Sequence, residues 1–468
     1  MTADPLVLPA ADTSTGTSLA ARYRAVRALT ERLCDGLERE DFVVQSMADV
    51  SPTKWHLAHT TWFWETFVLV PHAAGYALHD ERYPFLFNSY YVQAGARHCR
   101  AQRGYLSRPT VDEVFAYRAH VDRAMERWLD GLAPDDALAD LVEIGLNHEQ
   151  QHQELMLTDL KHVFSVNPLR PAYRERAVEV TADPGPVGWL DVEAGVYEVG
   201  FAPTGDTSEG DGAANSADRF HFDNEGPRHR VFLEPFALAD RLVTAGEVLA
   251  FIADGGYARP ELWLSLGWST REAEGWTCPF YWEPDETSPT GYRHFTMAGM
   301  RDVDPHEPAT HLSYFEADAV ARWLDVSGRV PGARLPTEFE WEVAARTVWD
   351  GTGDAPGDGF VERGRLHPSS SAASVLGGDG APAPRSPLPA GLYGEVWQWT
   401  QSQYTPYPGY RPVAGALGEY NGKFMANQFV LRGASCFTSR SHARPSYRNF
   451  FPPESTWQMT GLRLARSR

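Results

Sequence analysis

The sequence predicts two domains of different class, a helix bundle followed by an α+β domain, and three observations carry that reading. Residues 19–171 place apolar side chains at helical spacing in four successive stretches. Beyond Pro184-Gly185-Pro186 that grammar stops, and Gly, Trp, Pro and short alternating runs replace it. The chain's 468 residues also exceed what one ordinary core accommodates.

The elements follow in order. Residues 1–18 read as a disordered tail, lacking both a charged and an apolar signal region. Residues 19–33 are amphipathic and free of breakers, a first helix. Ser51 and Pro52 are expected to open the second as N-cap and first helical residue. Thr110 caps a third, and Asp135 begins a fourth that runs through His148 and His152 toward Val163. The wide crossover at 70–109, long for a compact domain, carries Tyr90, Tyr91 and the cations Arg97, Arg100 and Arg103. In the second domain the alternation over 188–200 predicts one half-buried strand, and 244–254 and 314–325 predict two helices. Residues 351–391, rich in Gly, Ala, Ser and Pro, read as an exposed loop.

Composition narrows the function classes. The formal charge of −20, with no basic stretch to offset it, argues against nucleic acid as a partner. No run approaches the ~18 apolar residues of a membrane span. The four cysteines, Cys34, Cys99, Cys278 and Cys436, are scattered and form no C-x-x-C pair, which suits reduced thiols in a cytoplasm.

The chemistry sits in Asn147-His148-Glu149-Gln150-Gln151-His152, answered upstream by Trp55-His56-Leu57-Ala58-His59. Imidazoles four apart in a helix share a face and can hold one metal ion, and a third from another helix completes a site with open positions. His56 and His59 compete for that third place, and spacing alone does not choose. His148-Glu149-x-x-His152 also fits the zinc-peptidase pattern, with Glu149 as general base; that reading needs a downstream ligand, for which Glu175 is at a plausible distance.

These residues carry a resemblance. Ser51-Pro-Thr-Lys-Trp-His-Leu-Ala-His, Asn88-Ser-Tyr-Tyr and His148-Glu-Gln-Gln-His resemble the DinB-like four-helix bundle of the ergothioneine-biosynthesis sulfoxide synthases. Asn224-Glu-Gly-Pro-Arg-His-Arg-Val, Leu335-Pro-Thr-Glu-Phe-Glu-Trp-Glu, Gly394-Glu-Val-Trp-Gln-Trp-Thr, Leu431-Arg-Gly-Ala-Ser and Gly461-Leu-Arg resemble the formylglycine-generating-enzyme (sulfatase-modifying factor) domain, related to C-type lectins. The implied division is a bundle over 19–178 and a second domain over 187–468.

The resemblance implies an Fe(II) site of His59, His148 and His152. It implies an O2-dependent reaction joining a thiol to the imidazole carbon of hercynine, with small-molecule substrates only. Tyr90 or Tyr91 would supply the proton or hydrogen, with Tyr407 in reserve. Gln151 and Asn449 match residues that contact hercynine. Where relatives using γ-glutamylcysteine carry an aspartate and an arginine, this chain has Phe451 and Ser455, which favours free cysteine; its carboxylate would then need Arg100 or Arg103. A selenosugar donor remains an alternative. A sulfatase-activating oxygenase would need a cysteine pair near the C-terminus, where only Cys436 stands.

Overall fold

A computed structural model describes residues 18–132, 138–175, 182–201, 220–369 and 389–468. The expected tail, the proposed start of the fourth helix at Asp135 and much of the 351–391 loop lie outside those residues.

The first domain is a four-helix bundle. Helix α1 (Leu19–Arg32) is capped by the Ser18 hydroxyl, which accepts from the Ala21 N–H. Helix α2 (Thr53–Phe63) passes through a π-helical turn (Trp64–Leu69) into a last turn, α3 (Val70–His72). The crossover is less bare than expected, holding the one-turn helix α4 (Tyr83–Phe87) and 3₁₀ turns at Val92–Ala94 and Arg100–Tyr105. Helix α5 (Val111–Leu129) begins in the capping box formed by Thr110 and Glu113, and α6 (Ala139–Val166) is the longest element.

The start of α2 corrects the sequence reading. Pro52 is the cap residue rather than the first helical one. Ser51 makes no cap bond: its N–H donates to Asp159 and its hydroxyl accepts from Arg103. Those two partners are the reason Ser51 is taken from the cap.

One close approach sets the geometry between α2 and α6. A Cβ on Gly145 would stand 2.4 Å from the Trp64 indole, so only glycine lets that ring lie against α6. The indole N–H then donates to Glu149 at 3.0 Å.

Among the described residues the second domain contains four small sheets. Strands β1 (Trp189–Val192), β4 (Phe236–Leu242) and β12 (Arg463–Ser467) form one, and β2 (Gly195–Val199) pairs with β3 (His229–Leu233) in another. The 188–200 run, read as one strand, is therefore two strands in different sheets. Strands β5 (Trp282–Pro284), β6 (Tyr292–Thr296) and β7 (Gly299–Asp302) make a third sheet. The fourth has the order β10-β9-β8-β11: Asn449–Phe451, Phe429–Gly433, Trp397–Gln403 and Thr460–Gly461. Helices α7 (Ala245–Ala253) and α9 (Tyr314–Val326) match expectation, while α8 (Ser265–Glu274) and α10 (Glu338–Arg346) add to it. Helix α10 starts in a capping box of Thr337 and Glu340. That signal was present in the sequence but lay inside a family motif.

The two domains share a core. One apolar cluster runs from Trp62, Leu146 and Leu157 of the bundle into Phe295, Val396 and Phe437 of the second domain. Buried polar pairs cross the same boundary: Glu154 of α6 accepts from Trp397, Ser435 and Thr438, and Asn147 meets His442 at 2.9 Å. The crossover is held too, since Glu419 accepts from the backbone N–H groups of Val92 and Gln93. No helix among the described residues is long and apolar enough to cross a membrane.

Candidate metal centre

The register of α2 and α6 brings His59, His148 and His152 together, with one ligand atom from each within 4.8 Å of the others. Their exposures are 0 %, 3 % and 9 %. Burial drives all three imidazoles toward the neutral form: His148 is pushed down to about 3, and His59 and His152 also lie well below the ordinary value. Neutral rings with free lone pairs are metal ligands, not cations.

The outer partners fix which nitrogen points inward. The Nδ1–H of His59 donates to the Phe87 carbonyl at 2.6 Å, leaving its buried Nε2 without a partner. His152 Nδ1 meets His56 Nδ1 at 2.9 Å, and His56 Nε2 meets Asp159 Oδ2 at 2.9 Å. One assignment satisfies the whole chain: His152 donates to His56, His56 donates to Asp159, and His152 keeps Nε2 for a ligand. His148 stacks on Phe63 with centroids 4.5 Å apart, and neither of its ring nitrogens has a partner. Orphaned buried nitrogens are costly, and a shared metal ion accounts for them. The residues fit such an ion. His56, the rival on spacing, is a neighbour that orients His152.

Glu149 does not fit the peptidase reading. Its buried carboxylate accepts from Arg27, Arg118, Thr30 and Trp64, and these partners hold its pKa down to about 2 despite burial. A carboxylate so occupied is a poor proton acceptor. Glu175, the other ligand that reading required, is exposed.

The structure separates the two arginines. Arg100 is exposed and bonds the Asp49 carbonyl. Arg103 is buried, lies 3.3 Å from the centroid of Trp55, and Trp55 stacks on His59 at 4.6 Å. Its Nε has no partner, and burial, then Arg100, lowers its pKa to about 9. A cation is thus stacked behind the triad.

The Tyr90 and Tyr91 rings meet at a tilt with centroids 5.0 Å apart; Tyr91 packs on Trp62 and Phe67, and Tyr90 on Tyr420 and Phe424. Burial raises both phenols, so each keeps its proton at neutral pH. Gln151, between the two α6 histidines, donates to the Tyr447 hydroxyl at 2.6 Å, which carries it across to the second domain. Asn449 opens β10 opposite Leu431, its side-chain oxygen accepting from the Phe450 N–H. Tyr407 is turned away: its hydroxyl donates to Glu338 and accepts from Arg432 inside the second domain.

Sequence reasoning missed Tyr420 and Tyr447, the aromatic groups nearest Gln151. They sit on irregular loops, where no periodicity marks them.

Comparison with known proteins recovers both domains. Residues 22–156 match the DinB superfamily, and residues 190–468 match the sulfatase-modifying factor enzyme 1-like domain. The chain is 33 % identical over 433 residues to a hercynine oxygenase of Mycolicibacterium thermoresistibile, covering 89 % of this chain and 87 % of that one. It is 31 % identical over 463 residues to a hercynine oxygenase of Mycobacterium tuberculosis, covering 96 % and 98 %. A formylglycine-generating enzyme of Thermomonospora curvata is 28 % identical over 283 residues, 53 % of this chain and 87 % of that one. A DinB-like bundle carrying a three-histidine centre, joined to a sulfatase-modifying-factor domain and similar to such relatives over nearly its whole length, makes this chain a member of the ergothioneine-biosynthesis sulfoxide synthase (hercynine oxygenase) family.

Proposed function

We propose that this protein is a cytoplasmic nonheme Fe(II) enzyme that uses O2 to join the sulfur of L-cysteine to the imidazole carbon of hercynine, giving a sulfoxide. The observation that carries the proposal is the buried trio His59, His148 and His152, one ligand atom of each within 4.8 Å of the others, with His59 Nε2 and both His148 nitrogens lacking protein partners. Bound there, Fe(II) would supply dioxygen activation and positions for the substrate sulfur and imidazole.

The chain's own groups take the remaining roles. Arg103, with an unpartnered Nε, is the natural anchor for the cysteine carboxylate. Gln151 and Asn449 would orient hercynine from two domains. Tyr447 and Tyr420 stand beside Gln151, with Tyr90 packed on Tyr420, and offer the aromatic surface that a trimethylammonium requires because it has no N–H to donate. Tyr90 or Tyr91 would hold the proton to be delivered. Phe451 and Ser455 bring no charge to the place where a γ-glutamyl group would need one, which supports cysteine over γ-glutamylcysteine.

Anaerobic reconstitution with Fe(II), then aerobic incubation with hercynine and each donor, tests the proposal by mass spectrometry. A sulfoxide adduct with cysteine and none with γ-glutamylcysteine is expected. An adduct only with γ-glutamylcysteine or a selenosugar overturns the donor assignment, and no adduct with any donor overturns the reaction.

A further inference from the structure

A second group of nitrogen and oxygen donors converges away from the triad. His294 lies on β6, Glu307 between β7 and α9, and His367 shortly after the turn at Val361–Arg363. One ligand atom from each falls within 4.8 Å of the others. Glu307 stands between the rings, Oε1 3.5 Å from His294 Nε2 and Oε2 2.8 Å from His367 Nε2. We propose that His294, Glu307 and His367 form a second, structural divalent-metal site of the two-imidazole, one-carboxylate type that Zn²⁺ takes.

Donor chemistry and spacing come first. Ligand atoms about 2.05 Å from a tetrahedral ion stand about 3.3 Å apart; here one atom from each residue lies within 4.8 Å of the others and the carboxylate already reaches both rings, so closure about an ion asks for side-chain adjustment without backbone rearrangement. Two imidazoles favour zinc over calcium, which prefers oxygen.

Electrostatics point the same way. Glu307 is 5 % exposed and His294 2 %. The buried carboxylate lies against both rings, and a dication held there would keep it charged.

The backbone supplies a third argument. Among the described residues five non-glycine positions have positive φ, and three border this group: Leu366, immediately before His367, with Tyr281 and His311. The Tyr281 carbonyl accepts from Phe295, the residue after His294, and Tyr281 meets His311 edge to face at 4.7 Å. Strain of this kind, of order 1–3 kcal/mol per residue, persists where the surroundings over-determine it. An ion tying three segments together would do that. The location matters because Lys161, from the end of α6, reaches His311 at 2.6 Å; the clamp would brace the wall against which the catalytic helix docks.

The test uses full-length protein and Zn²⁺ alone. In a His59→Ala/His148→Ala/His152→Ala variant, equilibrium dialysis with elemental analysis should find one Zn²⁺ per chain. Adding Glu307→Gln, which keeps the side chain's size, should weaken binding by more than the roughly 10–100-fold that loss of an outer-shell partner costs. A folded triple variant, by circular dichroism, that takes up no stoichiometric Zn²⁺ overturns the proposal, as does unchanged binding after Glu307→Gln. Should the triple variant not fold, Glu307→Gln in the otherwise native chain decides: capacity falling from two ions to one supports the site, and unchanged capacity refutes it.

Discussion

Glu149→Gln separates a structural glutamate from a catalytic one. Glu149 bonds Arg27, Arg118, Thr30 and Trp64 inside the bundle, and these partners move its carboxyl from about 4.5 to about 2. At about 1.4 kcal/mol per pH unit that difference amounts to about 3 kcal/mol, close to the 3–5 kcal/mol typical of breaking a buried ion pair. Glutamine keeps the shape and removes the charge, leaving two buried guanidiniums short of a counter-ion. Thermal unfolding of the metal-free protein should fall by about 3 °C if the chain unfolds as one unit, and by about 10 °C if the bundle unfolds alone. The sign with pH follows from the depressed pKa: the contribution is fully present above the unfolded value and lost as pH falls toward about 2. The gap between native and Glu149→Gln proteins should therefore be constant at pH 5–8 and shrink below about pH 4. Iron stoichiometry should stay at one in the triad. Unchanged stability together with abolished activity would refute this reasoning and restore Glu149 as a general base.

Three further outcomes follow from the same geometry. His148→Leu removes two buried orphan nitrogens, so it should abolish iron binding yet raise the stability of the metal-free protein by roughly 1–3 kcal/mol in denaturant titration; a less stable protein would contradict this. Asp159→Asn loosens the chain through His56 to His152 and should weaken iron affinity by roughly 10–100-fold in competition with a chelator; unchanged affinity would show that the chain does not orient His152. Of Tyr90→Phe and Tyr91→Phe, one should lower the rate of sulfoxide formation by roughly 10²–10⁴-fold with iron binding intact; two near-native rates would remove both phenols from the chemistry.

Much of the bundle was legible because its signals are local. The Thr110–Glu113 capping box and the helical spacing of α1 and α6 survive in the structure, since nothing tertiary competes with them. Ser51 was misread because its polar groups are claimed by Asp159 and Arg103, more than fifty residues away in sequence. The 188–200 run alternates throughout, yet alternation does not tell which neighbour each half pairs with, and β1 and β2 join different sheets. At the site, spacing located the histidines but left His56 and His59 tied. The tie is broken by contacts: His59 turns an unpartnered nitrogen toward the other two rings, and His56 spends both of its own on His152 and Asp159. Tyr420 and Tyr447 were invisible because a loop residue's role depends on where the fold carries it.

The central claim is that His59, His148 and His152 hold the catalytic metal, and anomalous diffraction at the iron edge from Fe(II)-loaded crystals tests it most directly. The account predicts one strong peak about 2.1 Å from a ring nitrogen of each of those residues, with His56 and Glu149 outside bonding distance. An iron peak ligated by Glu149 or His56, or no peak at the triad in an active preparation, would contradict it.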